Sequence, residues 1–403
     1  MNKPITLLFA LLTISNISAQ MTVSGTLDST VSLKAGAGDA PAFSYGIEEY
    51  ANIRFQTKLQ DKGTIYGAVN LIAAAGDYAA TAAMMAGFAS QTAPGISPTA
   101  YVAGENYIAG IELERLYFKL KGEYTDMDAG LFRLPFGYGQ VWGPSDFLNP
   151  KNPLKPDARL RGILGASLSW YPNDDLKLLA FSAAGRDPFL EDGDGMFAGI
   201  SMDQHWRKVS MQALYSFQTP MTGSEFGIHR AGLSIKADVE VGLVMDALYT
   251  YNHEAETRED GLSFSAGADY SFFGGKLIVL AEYLYNGKTS STAAGYGGGF
   301  SNNHYLYTGF TWIIDDFTNL NAALISGLDD ISFTPVISLS HDLFQGAVLA
   351  ITAQVPMDRD LFSGNGKRGE LGPLPPDELQ PLKDLIGRRG SYFNFSAALK
   401  LKF

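Results

Sequence analysis

The stretch Ser391–Phe403 reads S-Y-F-N-F-S-A-A-L-K-L-K-F. Phe393, Phe395, Ala397, Leu399, Leu401 and Phe403 alternate with Tyr392, Asn394, Ser396, Ala398, Lys400 and Lys402. Side chains of an extended strand point to opposite faces with a period of two, so this stretch has one apolar and one polar face. Its register is tightly held. A slip of one residue would carry Lys400 and Lys402 onto the apolar face, at roughly 2–4 kcal/mol each where that face meets mid-bilayer lipid.

The same alternation recurs along the chain. Val23, Gly25, Leu27, Val31 and Leu33 oppose Ser24, Thr26, Asp28, Thr30 and Ser32. Ala51, Ile53, Phe55 and Leu59 oppose Asn52, Arg54, Gln56 and Lys58, and Leu116, Phe118 and Leu120 oppose Arg115, Tyr117 and Lys119. Leu176 to Ala184 is more uniformly apolar, and Gly195 to Met202 is a weak strand inferred partly from parity. The second half predicts strands at Phe226–Ala237, Glu240–Asn252, Leu262–Phe272, Lys276–Asn286, His304–Ile313, Phe317–Gly327, Ile331–His341 and Phe344–Val355. Very short turns join some strands and long polar loops join others, an asymmetry expected of a barrel with two different rims. Outward aromatics gather at strand ends: Tyr215, Phe217, Tyr249, Tyr251, Tyr283 and Tyr285 at one rim, Trp170, Tyr270, Phe272, Phe310, Trp312 and Phe403 at the other. Backbone groups in lipid must all be paired, so strands span only in a closed sheet. The reading is an all-β, transmembrane, antiparallel up-and-down barrel of about eighteen strands. Both termini on the short-turn side require an even number, and sixteen results if two segments are misread.

Composition agrees. Only 18% of residues are charged, and no stretch after the N-terminal segment reaches the ~18 apolar residues of a membrane helix. The net charge of −12 argues against nucleic acid as a partner. There is no cysteine, and the five histidines are not spaced as metal ligands, so no metal, cofactor or catalytic set is expected. Lys3, the apolar run Ile5 to Ile14 and the small residues through Ala19 read as a signal peptide over residues 1–19, leaving 20–403 as one barrel domain. The first strand starts so soon afterwards that no N-terminal plug domain is expected.

A strand that ends on an aromatic, as this one ends on Phe403, resembles the closing strand of Gram-negative outer-membrane β-barrels. The resemblance implies residence in outer-membrane lipid and reading of Phe403 by the outer-membrane assembly machinery. A barrel of this size is too wide for side chains to fill, so something must narrow a water-filled lumen. The third long-side loop, residues 128–162, has Pro135, Pro144, Pro150, Pro153 and Pro156 with Gly137, Gly139 and Gly143, a composition that makes a long loop ordered. Its pattern Trp142-Gly143, Asp146-Phe147, Asn149-Pro150, Asn152-Pro153 is similar to a segment of porin-like barrels, whose third loop folds inward as a constriction. The porin superfamily is the resemblance; no single porin family is resolved. It implies a diffusion channel for small hydrophilic solutes, with a homotrimer as an allowed assembly.

Candidate pore-lining residues are Arg54, Lys58, Arg115 and Lys119 on strands, with Arg133, Asp146, Lys151, Lys155, Arg159 and Arg161 in the loop. A basic eyelet favours anions. Against that, pairing of these groups with Asp126, Asp128, Asp146 or Asp157 would merely pin the loop, and the lumen acids Asp28, Asp246, Asp269 and Glu282 would make the net field weak or cation-selective. Loop 75–107 is expected to cap one rim, with a latch onto a neighbouring subunit as the alternative, and loop 356–390 to fold over the mouth. Alternatives are a selective transporter of hydrophobic substrates, an adhesin-like or structural barrel, and, least favoured, a Ser–His hydrolase using His229 or His304.

Overall fold

The structure is a computed structural model that describes residues 21–36, 43–59, 62–76, 99–104, 106–149, 151, 162–184, 195–220, 227–252, 261–287, 303–329, 331–357 and 392–403. The signal segment, most of loops 75–107 and 356–390, and Lys155, Arg159 and Arg161 lie outside the described residues.

The strands run in chain order as β1 (Met21–Gly36), β2 (Phe43–Leu59), β3 (Gly63–Gly76), β4 (Thr99–Ala103), β5 (Tyr107–Lys121), β6 (Thr125–Phe132), β7 (Ile163–Asn173), β8 (Leu176–Ala184), β9 (Met196–Trp206) and β10 (Val209–Gln218). They continue as β11 (Ile228–Asp238), β12 (Gly242–Asn252), β13 (Leu262–Phe272), β14 (Leu277–Asn286), β15 (His304–Ile313), β16 (Thr318–Gly327), β17 (Ser332–Phe344), β18 (Ala347–Gln354) and β19 (Tyr392–Lys402). Each barrel strand pairs antiparallel with its neighbours, and β19 closes on β1 from Thr26↔Lys402 to Gly36↔Tyr392. Gly25 and Phe403 complete the seam by exchanging backbone hydrogen bonds of 2.8 and 3.0 Å. Eighteen strands form the ring. The short β4 stands apart from it, pairing with the upper half of β5 where β3 occupies the other edge and β6 has already ended.

Inside-out polarity follows from the alternation. Val23, Leu27, Val31 and Leu33 on β1, and Leu243, Met245, Tyr249 and Tyr251 on β12, are exposed on the outer face. Asp246, Leu248 and Thr250 of β12 are buried on the inner one. A closed sheet with this exterior leaves no backbone edge in lipid, which is the condition for spanning a membrane with strands. The weak segment at 195–202 is a full strand, β9, so the even count holds.

Several strand ends shift by a few residues, and two departures from the sequence reading matter for the lumen and its rim. The expected turn from His341 to Phe344 lies instead at Gln345-Gly346, because β17 continues through an irregularity between Asp342 and Phe344 and only Gly346 takes the left-handed conformation, φ +85°. The second departure is a bulge. Ala68 pairs with Arg115 but Val69 pairs with Leu113, so Glu114 is an extra residue in β5. The inner face of β5 therefore changes phase: Arg115 and Tyr117 face the lumen below the bulge, Glu112 and Glu114 above it.

Candidate functional site

The chain leaves β6 at Phe132 and returns at Ile163, so the ordered loop begins at Arg133. Its described part runs through the lumen to the far wall. In a ring of eighteen strands, β6 and β14 are eight positions apart, nearly opposite, and the loop is bonded to β14.

Glu282 of β14 is the principal anchor. Its carboxylate accepts three successive backbone N–H groups, from Gln140 at 3.0 Å, Val141 at 2.9 Å and Trp142 at 3.0 Å. Successive N–H groups turned one way form a natural cradle for an anion, here supplied by the barrel wall itself. Trp142 is fully buried, with its ring 5.7 Å from that of Tyr305 and with Leu284 and Ile325 around it. Further along the wall, Gly137 N–H donates to Gln212 Oε1 at 2.7 Å and the Gln140 side chain donates to Asp269 at 2.6 Å. Ser145 N–H points to Asp246 at 3.4 Å, and Asp246 is itself held by the Ser234 hydroxyl at 2.6 Å. Gly137 adopts φ +78°, and a Cβ there would stand 2.3 Å from the Asp246 carboxylate, so glycine alone fits.

Apolar packing seats the loop between these anchors. Phe136 and Phe147 lie parallel 6.1 Å apart and pack on Phe181 of β8 and Phe197 of β9 at 5.1 and 5.9 Å, joined by Leu148, Leu179, Leu214 and Leu248. The Arg230 guanidinium covers Phe147 at 4.9 Å, a cation–π contact. This explains why β8 is apolar on both faces: one meets lipid and the other meets the loop.

Inside the loop, Asp146 is 1% exposed and accepts Phe136 N–H at 3.3 Å, while Lys151 donates to the Gly139 carbonyl. Both brace the loop. Burial pushes the Asp146 carboxyl up to about 7, offset in part by the Phe136 N–H and Lys151. Its value in the seated loop is thus above the ordinary one, so the seated form holds the proton more tightly. The stabilisation is full below about pH 4 and is lost as pH rises through about 7. Single-channel recordings should accordingly be quieter at pH 5 than at pH 8, and Asp146→Asn should reduce the difference.

The opposite wall carries a polar recess. Thr22, Ser24, Arg54, Arg115, Tyr66 and Tyr117 line a recess of about 250 Å³ on β1, β2, β3 and β5, with the two tyrosine rings stacked 4.9 Å apart. Above it stands a charged network. Asn52 donates to Asn70 and to Glu114, each at 2.6 Å; Asn70 donates to Glu112 at 2.9 Å; Tyr50 donates to Asn70 at 2.6 Å; Arg54 donates to Asn52. Arg133 reaches Glu114 at 2.7 Å and Arg115 reaches the same oxygen at 3.2 Å. Burial, then the nearby Arg115 charge, lowers the Arg133 pKa.

Of the sequence candidates, the fold thus gathers Arg54, Arg115 and Arg133 into one cluster. Lys119 sits between Asp126 and Asp128, 3.6 Å from each, and Lys58 is exposed near the short-turn end of β2. Asp146 and Lys151 are across the lumen. Sequence reading listed Glu282, Asp246 and Asp269 only as field-weakening acids and did not see them as anchors. It also missed Glu112 and Glu114. The apolar inner face of β8 was the available signal for the loop's seat; nothing local marks Glu282.

No family model matches the chain, and no curated protein matches it by sequence. Solved structures do match in fold. OccAB4 of Acinetobacter baumannii superposes with a TM-score of 0.55 at 9% identity, over 96% of this chain and 100% of that one. OccK9 (OpdG) of Pseudomonas aeruginosa gives 0.56 at 10% identity, over 95% and 99%. OccK8 (OprE) of the same organism gives 0.55 at 11%, over 95% and 98%. The likeness is one of fold: this chain shares the closed antiparallel barrel of those structures.

Proposed function

We propose that this barrel is an outer-membrane channel through which small hydrophilic solutes diffuse passively, with a weak preference for anions. One observation carries the reading: the third loop is fixed against β8–β15 and leaves Ser24, Arg54 and Lys58 exposed on the inner faces of β1 and β2. A loop seated on one half of a wide lumen narrows it without filling it. Size exclusion then comes from the gap between the loop and the β1–β5 wall, and charge preference from the groups that line that gap. Within the bonded cluster there, Arg54, Arg115 and Arg133 outnumber Glu112 and Glu114 by one charge. No covalent chemistry is needed. Water-accessible polar walls also favour hydrophilic over hydrophobic cargo.

Purified protein in planar bilayers should give discrete, weakly voltage-dependent conductance steps, and proteoliposomes should admit small sugars. Correctly folded protein that never conducts would end this reading.

A further inference from the structure

The bulge in β5 does more than keep the barrel closed. The local sequence is Ile111-Glu112-Leu113-Glu114-Arg115-Leu116-Tyr117. Unbroken alternation from outward Leu116 would send Glu114 and Glu112 to lipid and Leu113 and Ile111 into the lumen. The extra residue reverses this above Arg115: Ile111 is exposed outside, and Glu112 and Glu114 are buried inside. Keeping two carboxylates out of lipid accounts for the existence of the bulge. It does not account for what Glu114 then touches.

Both Glu114 oxygens are committed. Oε1 takes Arg133 and Arg115, and Oε2 takes Asn52. Glu114 is only 5% exposed, whereas the Arg115 and Arg133 side chains are 30% and 28% exposed. A solute passing the gap therefore meets the guanidinium groups directly, with the carboxylate screened behind them. Arg54 stands beside them through Asn52, and the recess under them is open. Glu114 is the point where the charges of the near wall are balanced.

We propose that Glu114, delivered to the lumen by the bulge, is the residue that sets charge selectivity: it ties Arg115 and Arg133 to the wall and cancels one of their charges, so the pore discriminates only weakly. This rests on the channel reading above. Neutralising Glu114 raises the balance of the bonded cluster from one positive charge to two and weakens the hold of the wall on Arg115 and Arg133. The pore then becomes strongly anion-selective. Removing Arg133 does the opposite, because Glu114 is left facing Arg115 alone.

The test is the reversal potential in a KCl gradient for wild type, Glu114→Gln and Arg133→Gln, with folding checked by heat-modifiable gel migration. Glu114→Gln should raise the chloride-to-potassium permeability ratio at least about threefold at 0.1 M salt, and less at 1 M, where the screening length shrinks to about 3 Å. Arg133→Gln should lower it. An unchanged ratio in a conducting Glu114→Gln pore overturns the inference and leaves the channel reading standing. Should Glu114→Gln fail to fold, an unchanged ratio for Arg133→Gln overturns it equally. A wild type that does not conduct removes the channel reading and this inference together.

Discussion

Replacing Trp142 with alanine is expected to widen the pore. The indole is fully buried between the loop and the wall at Leu284, Tyr305 and Ile325. Truncating a buried tryptophan costs about 3–5 kcal/mol, from lost transfer energy and the cavity left behind. That cost falls on the seated loop, because β14, β15 and β16 keep their ladders and the ring of strands remains closed. Single-channel conductance should rise severalfold, and larger sugars should enter proteoliposomes. The unfolding temperature, read as heat-modifiable migration, should scarcely move. Unchanged conductance and exclusion limit in Trp142→Ala would mean that the loop does not set the narrowest point.

Glu282→Ala is expected to act in the same direction by a different route. It removes the acceptor of three buried backbone N–H groups at once. Each stranded donor costs about 1–3 kcal/mol unless water reaches it. In a barrel with a wet lumen, the cheapest relief is for the loop to leave the wall and hydrate. Glu282→Gln keeps one acceptor oxygen and should show a smaller change. Because Trp142 and Glu282 hold the same segment, the double variant should conduct about as well as the stronger single one rather than showing the product of the two. Independent, multiplying effects would show that the two groups do not share a single latch.

Much of the barrel was legible because its cause is local. A strand between lipid and water must alternate, so Leu262–Phe272 and His304–Ile313 can be bounded by reading hydrophobicity alone, and the structure has the same bounds. The aromatics at Trp170, Tyr249, Tyr251, Phe310 and Trp312 are exposed on the outer face for the same reason. Where alternation weakens, legibility weakens. Around 43–50 the strand β2 extends well above the stretch first read, and between Asp342 and Gly346 a small irregularity moved the turn.

The third loop shows the division most clearly. Its prolines and glycines mark it as ordered, and its place in the succession of loops marks it as the one to look inward. Its partners carry no such mark. Gln140 and Glu282 are 142 positions apart, and Gly137 and Gln212 are 75 apart. The charge partners were hidden differently: Glu114 adjoins Arg115 in sequence, yet only the extra residue in β5 turns both inward.

The sequence alone determined that this chain closes into a membrane barrel with a polar interior, since the two solvents on either side of each strand impose a period of two that any reader of hydrophobicity can find. Tertiary structure decided which carboxylates hold the loop and which neutralise the arginines. Those pairings exist only after closure brings distant strands together and after one added residue changes the face on which a side chain emerges.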